Sequence, residues 1–250
     1  MDSTLILAAT AGAFLLAGFV KGAIGLGLPT VSIGLLGLLM SPAQAAAILV
    51  VPSLITNVWQ ALAGGGLVAL LRRLWPVLVG ICAGTLVGVV LLPHDDSGRA
   101  TVWLGLALAL YAALGLVNVH FKVPRHAETW LGLVIGTATG AITVATGIFV
   151  MPGAPYVQAL QFERDKLVQA LGLSFTVSTV TLALALAYGG QIRGTLAGPS
   201  LVALGAALVR HGTGAIDAWK GADRNLPVVV LYRFAAAWRL SGAARLLMID

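Results

Sequence analysis

Long apolar stretches alternate with short polar segments along the chain as far as about residue 209. A helix needs about 20 apolar residues to cross the roughly 30 Å of hydrocarbon in a bilayer. Eight stretches approach that length: Thr4–Val20, Gly22–Met40, Ala43–Leu62, Trp75–Leu92, Val102–Val119, Trp130–Met151, Leu167–Tyr188 and Thr195–Val209. The pattern therefore predicts an all-α fold, a polytopic transmembrane helical bundle.

Composition excludes several other classes of protein. Only 10% of the residues are charged, against about 25% in a typical soluble domain, which is too little to cover a surface exposed to water. The net charge of +6 is spread between apolar blocks rather than gathered on one face, so a nucleic-acid partner is not expected. The single cysteine, Cys82, excludes a disulfide scaffold. The expected partner is the lipid bilayer.

The apolar blocks also argue against a β-barrel and a cleaved signal peptide. A membrane β-barrel would alternate polar and apolar residues within strands of about 10 residues, and no block here does so. Residues 1–4 contain no basic residue, whereas a secretory signal begins with a positive region. We therefore expect the first apolar block to stay in the protein as a span.

Basic residues predict which loops face the cytoplasm. Arg72 and Arg73 follow the third block, Lys122 and Arg125 precede the sixth, and Arg193 precedes the eighth. By the excess of Lys and Arg, these loops are predicted to be cytoplasmic. The balanced loop Glu163–Lys166 then falls on the opposite side. This alternation requires an odd net number of crossings within residues 3–40 and again within residues 130–160. It therefore predicts one span plus a re-entrant or broken segment in each region, rather than two full spans.

The chain contains two weakly similar halves, about 1–121 and 122–209. Gly18–Ile24 matches Gly136–Ile142 at an offset of 118 residues, and each copy continues through a glycine- and threonine-rich stretch to a proline. After a four-residue shift, Ala43–Leu62 matches Asp165–Leu184, which places Thr56 and Asn57 over Ser178 and Thr179. Repeated order of this kind indicates duplicated membrane units.

The two glycine-rich stretches predict broken or re-entrant segments. Backbone can leave the helix at membrane depth only where protein or a water-filled cavity satisfies its polar groups. Glycine breaks at matched positions of two halves are typical of a transport site, and the freed helix N-termini suit an anion. The alternative is that the glycines only allow close helix packing. For the matched pair of breaks we favour the transport site.

Lys21 is the most distinctive candidate for binding an anionic substrate. A lysine within membrane sequence costs about 2.5–3.5 kcal/mol on insertion scales, and this lysine stands beside the first glycine break. It could hold an anion, or it could end the first span and extend to the lipid headgroups. The second half has Thr139 at the matched position, so the charge is not repeated.

The other candidate residues lie in the two breaks and in the following helices. Asn57 and Ser178 could line a polar pathway, or they could form ordinary hydrogen bonds between helices, worth about 0.6 kcal/mol on average. The complete predicted substrate-binding set is Lys21, Gly22, Gly25, Gly27, Asn57, Thr139, Gly140, Thr143, Thr146, Gly147 and Ser178. The histidines have no metal-ligand spacing, so no metal or other cofactor is expected.

These motifs resemble those of the sulfite exporter TauE/SafE family. The resemblance rests on Gly18–Gly27 with Pro29, on Gly136–Pro152, and on Asp165–Gly172 leading into Ser174–Leu186. It covers roughly residues 5–209. It implies a bacterial inner-membrane permease of seven or eight spans that exports sulfite, organosulfonates or related small anions with the proton-motive force. The first break has fewer glycines than the family often shows, and Ala145–Thr146 stands where a glycine pair is typical.

Two other functions remain open at this stage. A membrane assembly subunit without transport activity would have the same composition, and assembly of several copies is equally compatible with the sequence. An intramembrane enzyme is disfavoured, because the serines within the spans have no His or Lys base in their own helices. We therefore expect a transporter rather than an enzyme.

Residues 210–250 depart from the apolar pattern. They contain six basic and three acidic residues, and their longest apolar stretch, Leu226–Tyr232, has seven residues. One interpretation is an amphipathic helix at the membrane interface. The other is a frameshift near codons 209–212 that replaced a final span, which translation of the coding DNA in the other two frames would test.

Overall fold

The computed structural model describes residues 3–24, 26–91, 122–191 and 197–212, with further helical positions at 102, 105, 106 and 109. Regular structure within these ranges is entirely helical, which confirms the all-α prediction. The helices are α1 Ser3–Ile24, α2 Leu28–Leu36, α3 Pro42–Leu62, α4 Leu67–Leu91, α5 Glu128–Thr146, α6 Gly153–Ala159, α7 Arg164–Tyr188 and α8 Ala197–Gly212. A short 3₁₀ turn, Arg125–Ala127, leads into α5.

Four of the described helices are long and apolar enough to cross a membrane: α3, α4, α5 together with its preceding turn, and α7. Large apolar side chains point outward from these helices, as contact with lipid requires; Leu86 is 68% exposed and Val90 81%. The predicted span Val102–Val119 lies outside the described residues except for isolated helical positions, and the tail beyond residue 212 lies outside them entirely.

Two predicted segments differ from the structure. The apolar block Gly22–Met40 is not one continuous helix of spanning length, because after the first break it forms only the nine-residue α2, which is almost wholly buried. Arg72 and Arg73 are not in a loop, because α4 begins at Leu67 and includes both. By contrast α3 begins one residue before its predicted start, where Ser41 and Gln44 form a reciprocal capping box.

Helices α4 and α5 pack through two rows of glycine. Gly80, Gly84 and Gly88 line one face of α4, and Gly132, Gly136 and Gly140 line the facing side of α5. A Cβ atom added at Gly84 would overlap the backbone of Thr137. Spacing of four residues puts each row on one face of its helix, so the two backbones approach directly.

The chain returns after the second break to the end of the bundle where α5 begins. Arg73 forms a bidentate ion pair with Glu128, at 2.9 Å and 2.6 Å, and also donates to the carbonyl of Leu160 at 3.0 Å. Lys166 donates to the carbonyl of Gly65 at 2.9 Å. The start of α7 therefore lies at the same end as Arg73, and the prediction that it lies on the opposite side is wrong.

The first half returns in the same manner. Lys21, near the end of α1, contacts Asn57 near the end of α3. Ile33 of α2 instead lies with Ala46, near the start of α3, because both are within 2.9 Å of the Cβ position at Gly147. The odd number of crossings predicted for residues 130–160 is wrong, because Glu128 and Leu160 both contact Arg73. The count of Lys and Arg cannot detect short helices that turn back through the bundle.

Candidate functional site

Lys21 is buried at the centre of a polar cluster. Its side chain is 2% exposed, and its ammonium group donates to the Thr56 hydroxyl at 3.0 Å and to the Asn57 side-chain carbonyl. A lysine reaching to the headgroups would be exposed at its tip and would not bind two side chains of α3. The structure thus contradicts the interfacial alternative, and it brings two predicted site residues, Lys21 and Asn57, together.

Asn57 connects this lysine to the second half of the chain. Its amide nitrogen donates to the hydroxyl of Thr179 at 3.2 Å, and that hydroxyl donates to the carbonyl of Phe175 at 2.7 Å. The Thr56 hydroxyl similarly donates to the carbonyl of Pro52 at 2.8 Å. Each partner of the ammonium is therefore held in place by a further hydrogen bond, so the cluster presents Lys21 in a fixed position.

The charge of Lys21 has no acidic partner among the described residues. Among the described residues the ion pair is Arg73–Glu128, at one end of the bundle. Lys21 is the only charged side chain among those described as buried. A buried ion costs several kcal/mol to desolvate, and neutral acceptors offset only part of that cost. An arriving anion would supply the missing charge, and two neutral acceptors leave one N–H of the ammonium for it.

Two serine hydroxyls are buried without a hydrogen-bond partner in the described structure. Ser53 is fully buried on α3 and Ser178 is 1% exposed on α7. Ser174 shows the usual alternative, because its hydroxyl donates to the carbonyl of Ala170 at 2.9 Å. Ser178 belongs to the predicted substrate-binding set and Ser53 does not. Ser53 nevertheless lies on the same face of α3 as Thr56 and Asn57, because it precedes them by three and four residues.

The first break contains the predicted glycines. Gly22 is half-buried in the last turn of α1, Gly25 lies outside the described residues, and Gly27 precedes α2. Gly27 has a φ of 107°, a conformation that L side chains rarely adopt. The break thus depends on glycine at this position and follows Lys21 by six residues.

The second break holds the threonines of the predicted set, but they form a separate group. The hydroxyls of Thr139, Thr143 and Thr146 each donate to the carbonyl one turn back in α5, at 2.7 Å. Gly147 ends the helix with a φ of 76°. Because these hydroxyl protons already serve backbone carbonyls, the threonines have less to offer an anion than the unpartnered serines do.

Gly140 lies where α5 packs closely against α4. A Cβ atom there would overlap the carbonyl of Ile81 and the amide of Thr85 on α4. No hydrogen bond among the described residues joins Gly140 or the three threonines to Lys21. The predicted set therefore divides into a cluster around Lys21 and Asn57 and a second group around the break after α5, which touches α7 through Phe149 and Phe175, with ring centroids 5.4 Å apart.

Comparison with known proteins gives one family. The model of the family described as Sulfite exporter TauE/SafE matches residues 10–231, which include the Lys21 cluster and both breaks. No curated protein and no solved structure matches the chain. The matching family is one of membrane transporters and not of enzymes. With its apolar helices and outward-facing apolar side chains, this multi-pass membrane protein belongs to the sulfite exporter TauE/SafE family.

Proposed function

We propose that this chain exports small oxyanions such as sulfite or organosulfonates, and that the ammonium group of Lys21 binds the transported anion. The observation that carries the proposal is the burial of this cation without an acidic partner in the described residues. An anion that pairs with the ammonium group replaces the interactions with water that the group loses on burial. Binding of an anion is therefore favourable, because the empty site holds an unpaired buried charge. Neutral Thr56 and Asn57 position the charge without cancelling it.

The membrane potential can drive such export. A cell interior that is negative by 100 mV favours the exit of a monovalent anion by about 2.3 kcal/mol. In our proposal the site opens alternately to the two sides of a bacterial inner membrane, and the link to the proton-motive force is this electrical component. No carboxylate within the described spans then has to carry a proton.

The two halves, 1–121 and 122–209, are proposed to be structural repeats around this site. Support comes from their shared order: a long helix, a break containing a glycine of positive φ, a short helix, and a second long helix. Further support is the hydrogen bond between Asn57 and Thr179, because the sequence alignment of the halves matches these two residues. Contact between matched residues is expected at an axis that relates two repeats.

Sulfite efflux from liposomes containing the purified full-length chain tests the proposal. We expect efflux under a potential that is negative inside. Lys21→Met should reduce the rate at least about 30-fold, since losing one partner of a buried charge pair costs about 2–5 kcal/mol. Lys122→Met, which removes the charge of an exposed lysine, is the matched control and should transport normally.

Two results would contradict the proposal. Wild-type efflux no faster than that of empty liposomes would favour a subunit without transport activity. Wild-type rates in Lys21→Met would exclude Lys21 as the anion site. Misfolding is checked by thermal unfolding in detergent, where loss of an uncompensated buried charge should leave the midpoint unchanged or higher.

A further inference from the structure

We propose that Ser53 is a substrate-binding residue that, together with Lys21, selects monovalent over divalent oxyanions. The inference rests on the proposed function and names a residue and a charge class that the function alone does not specify. Its basis is a hydroxyl donor that the folded protein leaves unused, on the face of α3 that holds the buried ammonium group.

The position of Ser53 follows from helix geometry. Residues three and four apart lie on one face of a helix, about 5–6 Å between Cβ atoms. Ser53 therefore shares its face with Thr56 and Asn57, the two residues that bind Lys21. An oxyanion is several ångströms wide when its oxygens are counted, so it can bridge an ammonium group and a hydroxyl one turn away.

The hydroxyl of Ser53 is distinguished by what it does not bind. Thr56 and Thr179 donate to carbonyls one turn back in their own helices, as buried hydroxyls in helices commonly do. Ser53 is fully buried and makes no such bond among the described residues. A buried polar group without a partner destabilises the folded protein, so a ligand that accepts its proton restores a bond that the empty protein lacks.

The charge class follows from the count of charges. One ammonium group is the only charged side chain described as buried, and the neighbouring donors and acceptors are neutral. A monovalent oxyanion makes this site neutral, whereas a divalent one leaves an unpaired negative charge buried in the protein, which is strongly unfavourable. Sulfite is monovalent in its protonated form, hydrogensulfite, and alkanesulfonates are also monovalent, whereas sulfate is divalent.

Sulfite efflux from liposomes containing the full-length chain tests the role of Ser53. In Ser53→Ala we expect the KM for sulfite to rise about tenfold or more, because a hydrogen bond to a charged group is lost. The thermal midpoint of the empty protein should stay the same or rise, since the unpartnered hydroxyl is gone. Ser53→Thr keeps a hydroxyl and should restore most of the affinity. Ser174→Ala, which removes a hydroxyl bonded within its helix, should leave KM unchanged.

Competition tests the charge class in the same liposomes. Methanesulfonate should inhibit sulfite efflux in the wild type at concentrations where sulfate does not. A wild-type KM in Ser53→Ala, a parallel loss of stability and affinity, or equal inhibition by the two anions would overturn the inference while wild-type transport stood. Absence of wild-type transport would instead overturn the proposed function, so the two failures are distinguishable.

Discussion

The side chains of Asn57 and Thr179 are joined by a hydrogen bond of 3.2 Å between amide nitrogen and hydroxyl oxygen. One belongs to α3 and the other to α7, and the alignment of the two halves of the sequence matches them. Because the carbonyl of the same Asn57 amide accepts from Lys21, the only charged side chain described as buried lies directly beside the contact between the halves.

Substitution of Asn57 by Asp should abolish transport without unfolding the protein. The new carboxylate would take the place of the amide beside Lys21 and form a buried ion pair, leaving no net positive charge for an anion. We expect sulfite efflux to fall at least about 100-fold, with a thermal midpoint equal to or above that of the wild type. The thermal midpoint is measured on the purified chain in detergent, and efflux is measured after insertion of the chain into liposomes.

Gln44→Glu is the control for that substitution, because it adds an acidic side chain at the exposed first turn of the same helix. It should transport at the wild-type rate. Normal transport by Asn57→Asp would show that the anion does not depend on the charge of Lys21.

Alanine at Gly84 should destabilise the protein. Gly→Ala within a helix normally stabilises by about 1 kcal/mol, but here the added methyl group would overlap the backbone of Thr137. Overpacking of this kind costs about 1–3 kcal/mol, so we expect a lower thermal midpoint in detergent. Gly205→Ala is the matched control, since nothing lies within 4 Å of its Cβ position. Equal midpoints for the two variants would contradict close packing of α4 against α5.

Cysteine labelling should place the start of α7 on the same side of the membrane as the turn before α4. In a Cys82→Ser background, single cysteines at Gly65 and Glu163 should react with a membrane-impermeant thiol reagent from one side. A cysteine at Tyr188, at the other end of α7, should react only from the opposite side. Labelling of Gly65 and Glu163 from different sides would restore the topology first predicted from the basic residues.

The helices themselves were largely predictable from sequence. Apolar length gave α3 and the end of α7 to within one residue, because lipid requires a continuous apolar helix of fixed length. The apolar length of Gly22–Met40 did not show that its helix is short and buried, because apolar residues in lipid and in a protein interior look alike. Pro29 and Gly27 signalled the break, but the depth of α2 depends on its contacts with the rest of the bundle.

The candidate site was predictable only in part. Lys21 and Asn57 could be named because a charge and an amide are rare in membrane sequence. Their contact could not, because they are 36 residues apart and the sequence does not give the angle between α1 and α3. Ser53 was left out of the predicted substrate-binding set, because an unpartnered hydroxyl becomes evident only when every neighbouring acceptor has a position.

The glycine rows of α4 and α5 constrain how the transporter can open. These helices come from different halves of the sequence, yet their backbones touch along three successive turns. Because no side chains separate the two helices, tilting or sliding of one against the other would cause steric clashes. We therefore expect α4 and α5 to move together as one rigid unit. On this basis we expect that the parts that move during transport do not coincide with the two halves of the sequence, and that a cross-link between α4 and α5 leaves the transport cycle intact.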